Sequence, residues 1–370
     1  MKWRPIMNTD KLFEPFEGGG LSLTNRVVMA PMTRVQSPGG VASPEVAAYY
    51  RRRAEGGVGL IITEGTAIDH PAAVSHPDIP NIHGEASLEG WAQVVKEVHA
   101  AGGKIIPQLW HVGMARSIGE LPNASALPIG PSGLNLAGEQ VTEPMTKNEI
   151  QGIVSAFAKA AKDAKAIGFD GIELHGAHGY LIDQFFWEKT NRRTDEYGGD
   201  LEARTTFAVE VIDACRRAVG PDFPIVLRFS QWKGGHYDAR LVETPEDLAR
   251  FLTPLSNAGV DIFHCSTRRF WQPEFEGSDL NLAGWTKKIT GKPTITVGSV
   301  GLDSAFPSPV TEKNQEDNID LLLERLDKAE FDLVAVGRAL ISDPAWAAKV
   351  QAGSIGEIIH FTSDATKTLY

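Results

Sequence analysis

Short apolar runs alternate with helix-period segments along the chain. Eight runs read as strands: Arg26–Ala30, Gly59–Thr63, Lys104–Leu109, Gly171–His175, Ile225–Phe229, Asp261–Cys265, Thr294–Val297 and Leu333–Val336. Several are almost continuously apolar, the pattern of parallel strands covered by helices on both faces. Between them, Leu88–Ala101, Lys147–Ile167, Glu202–Val219 and Pro245–Ala258 carry apolar residues at helical spacing. Thr146 before Glu149 spells a capping box, and Thr244-Pro245 sets a capping residue before a first-turn proline. Gly102, Gly168, Gly220 and Gly259 stand where helices should stop. A doubly wound open sheet would share this alternation but needs a phosphate-binding Gly-x-Gly-x-x-Gly turn after an early strand, and none is present. The expected fold is α/β: a (β/α)8 TIM barrel forming a single domain over residues 1–370. Residues 1–11 are read as an N-terminal extension, with Met7 a second possible start. Gly18-Gly19-Gly20 is read as the turn of an N-terminal hairpin that closes the barrel floor.

Two long loops interrupt the pattern. Trp110–Glu143 is rich in Gly, Pro, Ser and Asn, and Ser266–Asp279 carries Phe270, Trp271 and Phe275. Loops that leave the carboxyl ends of barrel strands usually cover the active site. Ser304–Asn318 is polar and Pro-containing and reads as a surface loop. Charged residues make up 22% and hydrophobics 42%, with a formal net charge of −11 and no run of Lys or Arg. That balance disfavours nucleic acid or an anionic membrane as partner. Cys215 and Cys265 are the only cysteines, which points to a reducing compartment rather than a disulfide framework. No stretch approaches the ~18 apolar residues of a membrane helix, and the first residues lack the apolar core of a signal peptide. A cytoplasmic protein acting on small molecules is the expectation.

The chemistry concentrates at strand ends. Glu173-Leu174-His175-Gly176-Ala177-His178-Gly179-Tyr180 sets two imidazoles and a phenol at one such end and its turn. Two imidazoles can donate to one substrate oxygen while a phenol delivers a proton. A zinc site is the competing reading of the histidines, with Glu64 or Asp183 as a further ligand. Arg228 sits inside the apolar run Ile225–Phe229, and a buried guanidinium needs either Glu173 or an anionic ligand. Pro31 and Thr33, Gly65, and Gln108 follow or end the first three strands, where they can approach a flat heterocycle. Trp110 reads as a pocket wall and His111 as structural. Gly298-Ser299 and Gly337-Arg338 close the seventh and eighth strands, the usual place of a barrel phosphate site.

In combination these motifs resemble the Old Yellow Enzyme family of FMN-dependent ene reductases. The resemblance runs from Leu12-Phe13-Glu14-Pro15 and Leu23–Arg34 through Pro107–His111 and His175–Phe186 to Asn191–Gly199, Val336–Leu340 and Lys367–Tyr370. It implies non-covalent FMN held by Pro31, Thr33, Gly65, Gln108, Arg228, Gly298, Ser299, Gly337 and Arg338. It implies ping-pong transfer from NADPH or NADH, through flavin N5, to Cβ of an α,β-unsaturated carbonyl or nitro compound. His175 and His178 would bind the carbonyl oxygen, Tyr180 would protonate Cα, and Trp110 and Trp271 would shape the substrate pocket. Many members have Asn at the position of His178. Asp200–Arg204 departs from the commonest pattern as a local packing matter, His111–Arg116 also departs, and Phe229–Lys233 follows a subgroup pattern; the loops around Met114 and Trp271 shape the pocket, which leaves substrate identity open. A monomer or homodimer is expected. The alternatives are amine oxidation or demethylation on the same barrel, a metal-dependent hydrolase, and a flavin-binding protein without turnover. The larger relatives with an iron–sulfur cluster would need more cysteines than this chain has.

Overall fold

The computed structural model describes residues 9–302 and 315–370. The first sheet is an antiparallel hairpin of β1 (Phe16–Gly18) and β2 (Leu21–Leu23). Gly19 and Gly20 turn it with φ of 56° and 79°, backbone angles that suit glycine in a two-residue hairpin loop. The other strands are β3 (Val27–Met29), β4 (Leu60–Ala67), β5 (Lys104–Trp110), β6 (Ile172–His178), β7 (Ile225–Lys233), β8 (Ile262–Ser266), β9 (Thr294–Val297) and β10 (Leu333–Val336). They are parallel and close into a barrel as β10 pairs with β3. This is the (β/α)8 architecture expected from the alternation.

Phe16, Leu21 and Leu23 join Leu60, Ile106, Ile262 and Leu333 in one buried cluster inside the barrel. Several of these are the first residues of their strands, so the hairpin plugs the floor and leaves the carboxyl ends free for a site. A second, larger core lies between the strands and the surrounding helices; Trp91, Phe157, Phe207 and Phe251 are fully buried there.

Three strands run further than their apolar sequence suggests. β4 continues to Ala67 across a register shift between Ile62 and Gly65, and β6 continues to His178 across another between Gly176 and His178. β7 follows β6 out to Lys233, which pairs with His178. Bulged, polar strand ends read as loop in sequence. For the same reason Trp110 and Ser266, taken as loop starts, close β5 and β8. The helix expected from Glu202 begins at Thr206, after a 3₁₀ turn over Ala203–Thr205. The loop expected over 304–318 lies outside the described residues up to 314, and 315–318 belong to the helix Gln315–Asp327. Among the described residues no helix is long and apolar enough to cross a membrane.

The turn that carries Tyr180 is pinned from below. Lys233 Nζ donates to Asp183 Oδ1 at 2.6 Å, with neither side chain exposed. Asp183 Oδ2 accepts the Gly179 backbone N–H at 2.6 Å, and Lys233 also donates to the Ser230 carbonyl. Removing one partner of a buried pair leaves the other charge without compensation. Asp183→Ala is therefore expected to lower unfolding free energy by about 3–5 kcal/mol, read from urea denaturation. A loss below about 1 kcal/mol would put the pair in the class of surface ion pairs and remove it as the anchor of this turn.

Candidate active site

A cavity of about 920 Å³ lies at the carboxyl ends of the barrel strands, lined by residues from the loop after β3 and from β5, β6, β7, β8, β9 and β10. Pro31, Thr33, Gln108, Arg228, Gly298, Ser299, Gly337 and Arg338 all contribute to its wall, as do His175, His178 and Tyr180.

Arg228 is 7% exposed and makes no ion pair among the described residues. Its Nη2 donates to Ser266 Oγ at 3.3 Å, and its Nε has no protein acceptor. Glu173, the counterion weighed from sequence, accepts from Gln108 Nε2 at 2.7 Å and lies 2.6 Å from His264 Nδ1. A buried cation on a cavity wall with an orphaned donor is the feature that an electron-rich or anionic cofactor edge would satisfy, so the donor set fits a flavin.

His178 closes β6 with φ 65°, a left-handed conformation in which His and Asn are among the better-tolerated residues. Its backbone N–H donates to Ser230 Oγ at 3.0 Å and its carbonyl accepts from Gly234 N at 2.9 Å. The ring stacks on Trp232 with centroids 4.2 Å apart, and Nε2 lies 2.7 Å from Ser266 Oγ. The His175 ring centroid is 5.2 Å from that of His178, and Tyr180 sits edge-on to His175 at 4.9 Å. Burial, reinforced by the Arg228 charge, holds both imidazoles well below the usual histidine range. Burial pushes the Tyr180 phenol up, with Arg228 opposing. The ring nitrogens are therefore neutral and the phenol protonated at neutral pH.

Three residues assigned to this site from sequence lie outside the cavity lining. A Cβ on Gly65 would meet Trp110 Cε3 at 2.3 Å, so this glycine makes room for the indole and does not line the cavity. Trp110 is buried behind the wall, edge-on to Tyr180 at 4.9 Å, and supports the phenol from the rear. Trp271 packs on Phe270 and is likewise absent from the cavity wall. The carboxylates weighed as metal ligands are otherwise engaged. Asp183 holds Lys233, and Glu64 accepts from the Arg34 and Val35 backbone at 2.8 and 3.3 Å, its pKa raised by burial to about 7. His111 bonds His70 at 2.9 Å, consistent with a structural role.

Other lining residues were not anticipated. Trp232 and Ser266 were within reach of sequence reasoning, because strand side chains alternate and Arg228, Ser230 and Trp232 share a face. Phe361 and Thr366 had no such signal. Arg34 donates to the carbonyls of Thr366 and Thr368 at 3.1 and 2.7 Å, and the Arg338 guanidinium lies 5.8 Å over the Phe361 ring.

The model of the NADH:flavin oxidoreductase / NADH oxidase family matches residues 11–356. An NADH oxidase of Thermoanaerobacter brockii is 36% identical over 359 residues, 94% of this chain and 52% of that protein. A putative 12-oxophytodienoate reductase 2 of Oryza sativa subsp. japonica is 44% identical over 222 residues, 58% of each. The chain thus spans little more than half the length of these curated relatives. Morphinone reductase in complex with tetrahydroNAD aligns with a TM-score of 0.80 at 30% identity, over 96% of this chain and 93% of that one. Old Yellow Enzyme from Pichia sp. AKU4542 aligns with a TM-score of 0.80 at 27% identity, over 96% and 90%. The chain belongs to the NADH:flavin oxidoreductase / NADH oxidase family, the Old Yellow Enzyme group that its motifs resemble.

Proposed function

We propose that this protein is an FMN-dependent ene reductase that draws on NADPH or NADH to reduce the activated C=C bond of an α,β-unsaturated carbonyl or nitro compound. The observation that carries the reading is the juxtaposition of two neutral imidazoles and a protonated phenol on a cavity wall that also bears the unpaired Arg228. Pro31, Thr33, Gln108 and Arg228 would hold the flavin ring, and Gly298, Ser299, Gly337 and Arg338 its phosphate. When bound, FMN would supply two-electron transfer between the nicotinamide and the alkene.

The chain's own residues account for the rest. His175 and His178 donate to the substrate oxygen and stabilise the negative charge that develops there; one such donor is typically worth about 10²–10³ in rate. Arg228, whose Nε has no protein acceptor, would hold the electron-rich edge of the flavin ring. Tyr180 keeps its proton through neutral pH and delivers it to Cα. Thr366, held by Arg34, and Phe361, under Arg338, help to exclude water. On this reading the barrel acts as a monomer or homodimer in the cytoplasm.

The deciding experiment is an anaerobic visible spectrum of the FMN-loaded protein with NADPH or NADH added, then 2-cyclohexenone. Bleaching of the flavin band and its return on adding the enone is the expected result. A band that bleaches and stays bleached would move the search to other acceptors. No flavin binding would overturn the reading. Tyr180→Phe is expected to leave reduction by NADPH near normal and to slow the alkene half-reaction by about 10²–10⁴; equal slowing of both halves would remove Tyr180 as proton donor. The imidazoles are held below their usual range and the phenol above its own, so neither titrates between about pH 7 and 9. The alkene half-reaction should be flat across that window, and a rate change centred near pH 8 would contradict this assignment of protonation states.

A further inference from the structure

Arg228 can only donate, so Ser266 Oγ, 3.3 Å from its Nη2, is the acceptor. The same oxygen lies 2.7 Å from His178 Nε2. The Ser266 hydroxyl has no other hydrogen-bond partner among the described residues, and Ser266 is 2% exposed. If His178 Nε2–H and Arg228 both donated into this oxygen, the hydroxyl proton would have no acceptor within the protein. The arrangement that satisfies every group has Arg228 donating to Ser266 and Ser266 donating to Nε2.

We propose that Ser266 is a positioning residue whose hydroxyl, fixed by Arg228, holds His178 as the neutral Nδ1–H tautomer and so presents Nδ1–H to the substrate oxygen. Nδ1 has no protein partner among the described residues, so its proton is available to a ligand. His175 is set the other way: its Nδ1 accepts from the Ala177 backbone at 3.4 Å, which leaves Nε2–H as its donor. The two histidines then offer different nitrogens to one acceptor. Burial and the nearby guanidinium both disfavour the imidazolium, which would abolish the distinction between tautomers. The identity of the acceptor rests on the ene-reductase reading; the tautomer does not.

The test is a long-range ¹H–¹⁵N spectrum of the FMN-loaded protein labelled in its histidine rings, which distinguishes the two neutral tautomers by their coupling patterns. The His178 signals are identified by their loss in His178→Asn. The wild-type protein is expected to show the Nδ1–H pattern from about pH 6 to 8. Ser266→Ala should convert it to a mixture or to Nε2–H, and Ser266→Thr, which keeps the hydroxyl, should restore it. Affinity for a phenol, an enolate mimic, should fall about tenfold in Ser266→Ala. An Nε2–H pattern in the wild-type protein, or an Nδ1–H pattern that survives in Ser266→Ala, overturns the proposal. The expected tautomer pattern in a protein that does not turn over the enone would uphold Ser266 as the positioning residue and reject the ene-reductase reading.

Discussion

A guanidinium buried in the barrel without a carboxylate partner sets the terms for everything around it. Taking such an ion out of water costs several kcal/mol, and the fold had a carboxylate within reach in Glu173 on the neighbouring strand. The Glu173 charge is still felt at Arg228, where it opposes the effect of burial. Its oxygens, however, are taken by Gln108 and His264, so the positive field of Arg228 is left facing the cavity. That field has three consequences. It drives His175 and His178 further toward neutrality than burial alone would. It moderates the rise in the Tyr180 pKa that burial causes. It also makes the cavity wall a place where negative charge is welcome. One cation thus biases the ionisation of three neighbouring side chains and the choice of ligand.

The rim is strained in the same region. Val35, His178 and Ser299 have φ of 55°, 65° and 56°, conformations that cost about 1–3 kcal/mol each for non-glycine residues. Each is held by specific contacts. Glu64 accepts from the backbone of Arg34 and Val35. Ser230 and Gly234 fix His178 from β7, and Ser299 Oγ donates to the Arg268 carbonyl at 2.9 Å. The tolerance of His and Asn for left-handed backbone accounts for the residue at 178 without reference to its chemistry, and the Ser266 contact then orients the ring.

Much of this was legible in the sequence. The eight strands were, because a parallel strand covered on both faces is written as a continuous apolar run. The His175–Tyr180 segment was, because it stands at the end of one. What could not be read was which way a strand-end side chain points once a bulge intervenes. The register shift after Ile62 breaks the alternation, so Gly65 gives way to Trp110 behind the wall while Gln108 lines it. Trp271 lies off the cavity wall for a related reason: an aromatic in a loop carries no period to say what it covers. The Lys233–Asp183 pair joins two elements fifty residues apart, and nothing local to either residue announces it.

The wall is also built from distant parts of the chain. Arg34 follows the first barrel strand and binds a carbonyl 334 residues later, and β10 pairs with β3 to close the barrel between them. Thr33 and Thr366 line the same cavity. Its hydroxyls, its buried cation and its imidazoles come from five different strands or strand ends and from the C-terminal segment, so no smaller unit of the fold could present them together. Completion of the barrel and completion of the site are the same structural event.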